Sequence, residues 1–396
     1  MYEAAELREG VFWVGAIDWD IREFHGYTTQ RGTTYNAYLV KGEKTALIDT
    51  VRACFSHEMI SRIKSVHDPE KIDYLVVNHL EMDHSGALPL VKELAPHARI
   101  VATEYGSKGL VRHFRNDWPV QKVKTGNELS LGGKTLQFLE AYMLHWPDSM
   151  LTYLKEDSVL FPNDAFGQHY ASFYRFDDEN GRFETIMDEA SKYFANILMP
   201  LAPLIPPLLK KVEKMGIHIE MIAPSHGTIW RSHIDRIVNS YVEWSTGVVQ
   251  DRVLIIYDTM WGSTEAMARA ISEGLSKARI EHKLIRLRKN HYSDVVREIL
   301  TAKVLVIGSP TINEGMFPSV AQLLYYIKGL HPLKKKGVVF GSYGWGGEAI
   351  QAMSTEMTAG GIEALEPGLG IVYVPGREDL AECVRLGERI GAAVRE

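Results

Sequence analysis

The sequence predicts an α/β protein in two parts: a mixed strand-and-helix unit followed by a doubly wound parallel sheet. Three observations predict it. From about Asp251 onward, continuous apolar runs alternate with helical patterns, as in a parallel sheet buried on both faces. Up to about Thr246, short β-rich runs recur with helices interleaved, and polar residues gather where the runs end. The 396 residues are too many for one ordinary domain and comfortable for two. The boundary is expected in the short linker Ser245–Asp251, giving domains 1–248 and 249–396.

In the first part, strands are expected in "VFWVGA", "TYNAYLV", "KTALIDT", "DYLVVNH", "RIVATE", "TLQFLEA", "MLTYLKE", "SVLFPND" and "IEMIAPSH". Helices are expected at Ser56–Val66 and Ala87–Leu94. In the second part the strands are "RVLIIYD", "HKLIRLR", "KVLVIGS", "GVVFGSYG" and "GIVYV". Helices fill the intervals: "AMARAISEGLSKA", a segment near Asp294–Ala302, Ser319–Leu330, one near Glu348–Ala359, and a terminal helix from about Glu378.

Composition narrows the function class. The net charge of −6 carries no basic block, which argues against nucleic acid or an anionic membrane as the main partner. The N-terminus has early acids and no basic segment before an apolar stretch, so no signal peptide is expected and the location is expected to be cytoplasmic. The most apolar segment, Tyr193–Leu209, contains Pro200, Pro203, Pro206 and Pro207 and does not read as a membrane span. Cys54 and Cys383 are the only cysteines, so neither a disulfide framework nor a four-thiolate iron site is available.

Ligands of doubly wound sheets bind at the carboxyl ends of strands, and three such ends carry unusual loops. The first supplies Thr259, Met260, Trp261, Gly262, Ser263 and Thr264 before a helix. Hydroxyls, a free backbone and a helix dipole make a neutral anion cradle. It lacks the Gly-Lys-Ser/Thr of a nucleoside-triphosphate loop and the spaced glycines of a dinucleotide fingerprint, so a compact phosphomonoester suits it better. The second loop offers Ser309, Pro310, Thr311, Ile312 and Asn313; the third offers Ser342, Tyr343, Gly344, Trp345, Gly346 and Gly347. Polar backbone with aromatic faces suits a flat heteroaromatic ring, and the three loops together describe an FMN site of flavodoxin type. Trp345 is expected against the ring. Trp146 and Trp261 also read as packing residues.

The first part carries metal-ligand residue types at strand ends: His79, Glu81, Asp83 and His84 after "YLVV", then His145, Asp164 and His226 in "MLHWPDS", "FPNDAFG" and "APSHG". Buried imidazoles and carboxylates need partners, and a pair of metal ions supplies one for all of them.

These residues, with "HLEMDH", "MLHWPDSM", "PSHG", "YDTMWGSTE", "SPTIN" and "GSYGWGGE", make the whole chain resemble the flavodiiron proteins (A-type flavoproteins). The resemblance implies a metallo-β-lactamase-like αββα sandwich followed by a flavodoxin-like domain. Zinc hydrolases of that fold usually carry histidine where this chain has Glu81; a carboxylate makes the site harder and more anionic, which suits iron. The resemblance implies one iron on His79, Glu81 and His145, the other on Asp83 and His226, and Asp164 bridging them, while the role of His84 stays open. It places His25 and Tyr193 near the substrate as proton donors, beside a plainer reading as loop and core residues. His169 reads either as a support for the metal site or as a satisfied polar residue, and no spacing ties His218 or His233 to a metal.

The implied reaction is reduction of O2 to water or of NO to N2O, using FMN and two irons. Electrons are expected from a separate donor, a rubredoxin by default or a reduced deazaflavin, and a head-to-tail homodimer or dimer of dimers is expected to bring flavin and iron together. The alternatives are a zinc-dependent hydrolase with an accessory flavin domain and a non-catalytic flavin electron carrier.

Overall fold

Alternation along the N-terminal strands decides where each side chain goes. Tyr38, Val40, Ala46, Ile48, Tyr74 and Val76 lie in one buried cluster, whereas Leu39, Leu47, Leu75 and Val77, one residue out of step, lie in another. A sheet that buries both faces must be covered on both. A second sheet completes the first cluster with Leu136, Phe138, Met150, Leu154, Val159 and Phe161. Helices complete the other: Met59 and Ile63 of Ser56–Val66, Val91 of Leu88–Leu94, and Leu110 of Glu104–Phe114.

The computed structural model describes residues 2–179 and 181–395. The first sheet has seven strands in the order Ala5–Arg8, Val11–Trp13, Tyr38–Lys41, Thr45–Ile48, Tyr74–Val76, Arg99–Ala102 and Val120–Lys122. Its pairings are antiparallel as far as Thr45–Ile48 and parallel beyond it. The second sheet runs Glu128–Ser130, Thr135–Glu140, Met150–Leu154, Val159–Phe161 and Met221–Ile222, with only the last pair parallel. Its outward residues Leu139, Leu151, Tyr153, Leu160 and Ile222 are buried too. Lys211 of the helix Ile205–Lys214 reaches the Thr125 hydroxyl at 2.8 Å and the Glu140 carbonyl at 3.5 Å. The result is the two-sheet sandwich expected for the first part.

The C-terminal sheet is wholly parallel, in the order Glu281–Arg286, Gln250–Tyr257, Ala302–Gly308, Lys336–Tyr343 and Leu369–Val372; the short strand Glu363–Ala364 pairs with the start of Lys336–Tyr343. Numbered along the chain, the main strands lie 2-1-3-4-5, the flavodoxin order. Val253, Ile255, Val304, Val306, Val338 and Phe340 pack with the helices Ser263–Lys277 and Arg377–Val394. Those two helices touch backbone to backbone: a Cβ on Gly274 would come within 2.0 Å of the Val384 carbonyl oxygen, and one on Gly387 within 2.2 Å of that of Ile271.

The chain forms two compact units, Met1–Tyr193 with Pro203–Val242, and Phe194–Ala202 with Glu243–Glu396. The segment Phe194–Ala202 is tied into the second unit by Asn196, which donates to the Ser293 carbonyl at 3.1 Å and accepts from the Tyr326 hydroxyl at 3.0 Å. Among the described residues no helix is long and apolar enough to cross a membrane.

Candidate functional site

The metal-ligand types begin directly after the strand Tyr74–Val76. Asn78 is fully buried, and Asp49 holds it in place, accepting from its backbone N–H at 2.8 Å and its side-chain amide at 3.1 Å. Burial pushes the Asp49 carboxyl up to about 6. Asn78 also accepts from the Thr152 hydroxyl at 2.6 Å, which fastens the strand end to the second sheet. The one-turn helix Met82–Ser85 then turns Asp83 and His84 inward and leaves Met82 exposed. His145, Asp164 and His226 enter from loops that follow other strands of the sandwich.

Two groups result. In one, His79 Nε2 and His145 Nε2 each lie 3.3 Å from Glu81 Oε2, and 3.7 and 3.1 Å respectively from Asp164 Oδ2. In the other, His84 Nε2 lies 3.4 Å from Asp83 Oδ1 and His226 Nε2 3.2 Å from Asp83 Oδ2; both nitrogens face Asp164 Oδ1, at 3.0 and 3.6 Å. The two oxygens of one buried carboxylate are thus divided between two clusters, and each cluster converges like a metal-ligand set.

Several of these contacts are not hydrogen bonds. Both oxygens of Asp83, both ring nitrogens of His84 and Oδ1 of Asp164 are buried without a hydrogen-bond partner. Lone pairs that converge at short range without an aligned proton suit a shared cation, and leaving them unsatisfied is costly.

The electrostatics agree. Burial alone would lower the His79 imidazole, but Asp148, Glu81 and Asp164 outweigh it and push His79 up to about 10. The same opposition raises His84 to about 9, through Asp83 and Asp164, and His145 to about 9, through Asp164 and Glu81. Burial opposes ionisation of Glu81, Asp83 and Asp164 as well, yet the facing histidines hold all three below the usual carboxylate range. A site with this surplus of carboxylate calls for positive charge. Protons on histidine supply it in the metal-free protein, and hard cations such as iron supply it better.

The ligand rings are oriented from behind. His226 Nδ1 donates to the Thr34 carbonyl at 2.7 Å, which aims Nε2 at the cluster. His79 Nδ1 lies 3.2 Å from Asp148 Oδ2, which also accepts from the Leu80 N–H at 2.7 Å. Asp148 is absent from the sequence-based site; the only signal is a carboxylate three residues after His145. Trp146 packs its edge on His79, with ring centroids 4.9 Å apart.

His25 and Tyr193 are both at the site. His25 Nε2 lies 3.0 Å from Glu81 Oε1, the oxygen turned away from the ligand cluster, and its side chain is 51% exposed. Tyr193 is buried beside His226, with ring centroids 5.9 Å apart. Burial first and the Asp164 carboxylate second hold its phenol protonated. His169 is the satisfied polar residue of the two readings, with the Tyr27 and Thr33 hydroxyls on its ring nitrogens. His218 and His233 are outside both groups.

In the second unit, the three strand-end loops surround a cleft of about 500 Å³. Thr259, Met260, Trp261, Ser263, Pro310, Thr311, Asn313, Ser342, Tyr343, Gly344, Trp345 and Gly346 line it, joined by Glu314, Glu348, Tyr373 and Val374, which the sequence reading missed. Tyr373 and Val374 come from the end of a fourth strand, where no loop motif marks them. The other loop residues support the cleft from behind. Thr264 faces the Ser342 hydroxyl at 3.3 Å, Ser309 accepts from the Phe317 N–H at 2.8 Å, Ile312 pairs with Gly315, and Gly347 precedes the helix Glu348–Ala359. Gly262 sits at φ 95°, a turn that glycine makes without strain, and no side chain caps the helix Ser263–Lys277 behind it. Its first N–H groups are therefore free for an anion. Arg288 Nε donates to Asp258 at 2.9 Å, so its charge is paired there. Trp261 is 95% and Trp345 94% exposed. The packing role expected for Trp261 is not met: both indoles stand open at the cleft.

Two family models match: "ODP family beta lactamase" over residues 33–227 and "Flavodoxin" over residues 255–387. The chain is 47% identical to a protein named nitric oxide reductase from Moorella thermoacetica, over 100% of both chains. The solved rubredoxin oxygen:oxidoreductase from Desulfovibrio gigas is 41% identical and superposes with a TM-score of 0.97 over 99% of each chain. The flavodiiron protein from Giardia intestinalis is 31% identical, with a TM-score of 0.96 over 100% of this chain and 97% of that one. The chain belongs to the flavodiiron family. It is an oxidoreductase whose flavodoxin domain is its FMN module and whose β-lactamase-like domain is its di-iron module.

Proposed function

We propose that this flavodiiron protein reduces O2, NO or both, with His79, Glu81 and His145 holding one iron, Asp83, His84 and His226 the other, and Asp164 bridging them. The observation that carries the assignment is the division of the Asp164 oxygens between the two clusters. His84, open in the sequence, joins the second set because its Nε2 faces the same Asp164 oxygen as that of His226.

Two ferrous ions and a reduced flavin together store four electrons, which matches O2 + 4 e⁻ + 4 H⁺ → 2 H2O and exceeds the need of 2 NO + 2 e⁻ + 2 H⁺ → N2O + H2O. The chain's own residues do the rest. Glu81, Asp83 and Asp164 keep the site anionic, and Asp148 and the Thr34 carbonyl fix the aim of His79 and His226. His25, half in solvent and in contact with Glu81, carries protons inward, and Tyr193 holds a proton beside the site. In the cleft, Thr259 and Ser263 with the helix N-terminus would hold the FMN phosphate, and Trp261, Tyr343 and Trp345 would face the ring system.

Electrons come from a separate donor, by default a rubredoxin; flavin reduction followed with a rubredoxin and with a reduced deazaflavin identifies which. Electron transfer weakens steeply with distance, so the proposal extends to a head-to-tail homodimer or a dimer of dimers. A fully active monomer in sedimentation equilibrium would contradict that extension. The experiment for the function itself is anaerobic reduction followed by O2 and NO consumption measured side by side. Consumption of at least one gas, lost in Asp164→Ala, supports the assignment; hydrolase activity with bound zinc and no gas consumption refutes it.

A further inference from the structure

His226 lies in a bend that does not hold itself. Residues 224–227 fall within the reversal between Ile222 and Trp230, which pair antiparallel, and Gly227 has a φ of 80°. Such a reversal is usually closed by a backbone hydrogen bond across it. Here the Gly227 N–H donates instead to the Thr34 hydroxyl at 2.7 Å. The Pro224 carbonyl accepts from the Asn36 side-chain amide at 2.8 Å and from the Tyr38 hydroxyl at 2.6 Å. The same amide donates to the Gly227 carbonyl at 3.0 Å, and the Asn36 backbone N–H donates to the Ser225 carbonyl at 2.8 Å.

Asn36 is fully buried in the link between the strands Thr33–Tyr35 and Tyr38–Lys41 of the sandwich. Its partners fix which way the amide points. Carbonyls only accept, so the nitrogen faces Pro224 and Gly227; the Trp13 Nε1–H only donates, at 2.7 Å, so the oxygen faces Trp13. One planar amide thus spans the carbonyls on either side of His226. Aspartate has the same shape but no donor when ionised, and would set a carboxylate against two carbonyl oxygens. The other residues of the second ligand set need no such clamp. Asp83 and His84 share the single turn Met82–Ser85, whose own backbone bonds, such as Gly86 N–H to the Met82 carbonyl at 3.0 Å, hold it.

We propose that Asn36 is a positioning residue for one iron of the pair: it pre-forms the bend that carries His226, so that this imidazole meets Asp83 and His84 before any metal arrives. The inference rests on the di-iron assignment above. A ligand already in place spares the metal the entropic cost of ordering its loop. The effect is confined to one side of the centre. The hydrogen bonds of Asn36 go to Trp13, Pro224, Ser225 and Gly227, none of which belongs to the set His79, Glu81 and His145. The iron on that set is therefore indifferent to Asn36, while the iron on Asp83, His84 and His226 depends on it.

The test loads the unsubstituted chain, Asn36→Asp, Trp13→Phe and His226→Ala with iron and FMN and titrates each with a chelator. Elemental analysis counts the iron that stays bound. Electron paramagnetic resonance reads the oxidised centres, where a coupled ferric pair is silent and an isolated ferric ion gives a high-spin signal. In Asn36→Asp one iron should bind about 10- to 100-fold more weakly, and an isolated-ion signal matching that of His226→Ala should appear as it leaves. Trp13→Phe keeps both amide donations and should keep the pair. Loss of neither iron or of both together in Asn36→Asp, a residual signal unlike that of His226→Ala, or an equal loss in Trp13→Phe overturns the proposal and leaves the di-iron assignment standing. If Asn36→Asp does not fold, hydrogen exchange of the full-length chain stripped of iron decides: a protected Gly227 amide supports the pre-formed bend, and a freely exchanging one overturns it. An unsubstituted chain that does not hold a pair of irons overturns the assignment and the inference with it.

Discussion

The metal cluster and the flavin cleft hold their ligands by opposite means. The cluster uses a handful of charged atoms, buried and convergent, drawn from four places in the chain. Asp164 alone faces both halves. The cleft spreads its contacts over many mostly neutral residues at four strand ends, open to solvent, with Trp261 and Trp345 almost fully exposed. The first arrangement fails when one atom is removed, because its charges compensate one another in a medium of low dielectric. The second loses a little with each contact. Substitutions should therefore produce large losses in one unit and graded losses in the other.

The largest effect is expected from Asp164→Ala, which takes one ligand atom from each proposed iron. Bound iron should fall and gas consumption should drop by more than about 100-fold, beyond the range of an outer partner. Elemental analysis and consumption assays read both. Next comes Asp148→Ala, which leaves the Leu80 N–H and His79 Nδ1 without their acceptor. Metal affinity should weaken about 10- to 100-fold, as measured by competition with a chelator. A uniform response to these two substitutions would break the distinction between a bridge and a support.

A third prediction follows from the raised histidines. In the metal-free protein His79, His84 and His145, raised to about 10, 9 and 9 from 6.5, are protonated at about pH 7. Metal binding there should release on the order of three protons, and fewer as pH approaches 10. Calorimetry in buffers of different ionisation enthalpy counts them. The sign for stability is also fixed. These groups stabilise the metal-free fold fully below their unfolded pKa, and that contribution is lost as pH rises through about 9 to 10. The smallest effect is expected from Trp345→Ala. One exposed aromatic face is worth about 1 kcal/mol, so FMN affinity should weaken several-fold, as read by fluorescence titration. A collapse of FMN binding from this single change would contradict a distributed site.

The same contrast explains what the sequence made legible. All seven expected metal-ligand residues come together because imidazoles and carboxylates at strand ends have few other uses, and such positions survive uncertainty about the rest of the fold. The aim of His84 was not legible. It depends on the single turn Met82–Ser85, which sends Asp83 and His84 inward together. Asp148 was missed because a carboxylate in a turn after a proline is ordinary until its partner is known. Tyr27 and His169 were invisible as a pair, being 142 residues apart. In the flavin unit the loops stood out by composition, but Tyr373 and Val374 did not, since their place depends on the parallel pairing of Leu369–Val372 beside Lys336–Tyr343. The membership of Phe194–Ala202 in the second unit rests on Asn196 and its partners, which apolar composition does not reveal.

The most direct test of the central claim is anomalous diffraction at the iron edge from crystals of the iron-loaded protein. Two iron peaks, one on each side of the Asp164 carboxylate, with His84 turned to the same iron as His226, are the predicted result. A single iron peak, scattering at the zinc edge in place of iron, or an Asp164 with both oxygens on one ion would contradict it.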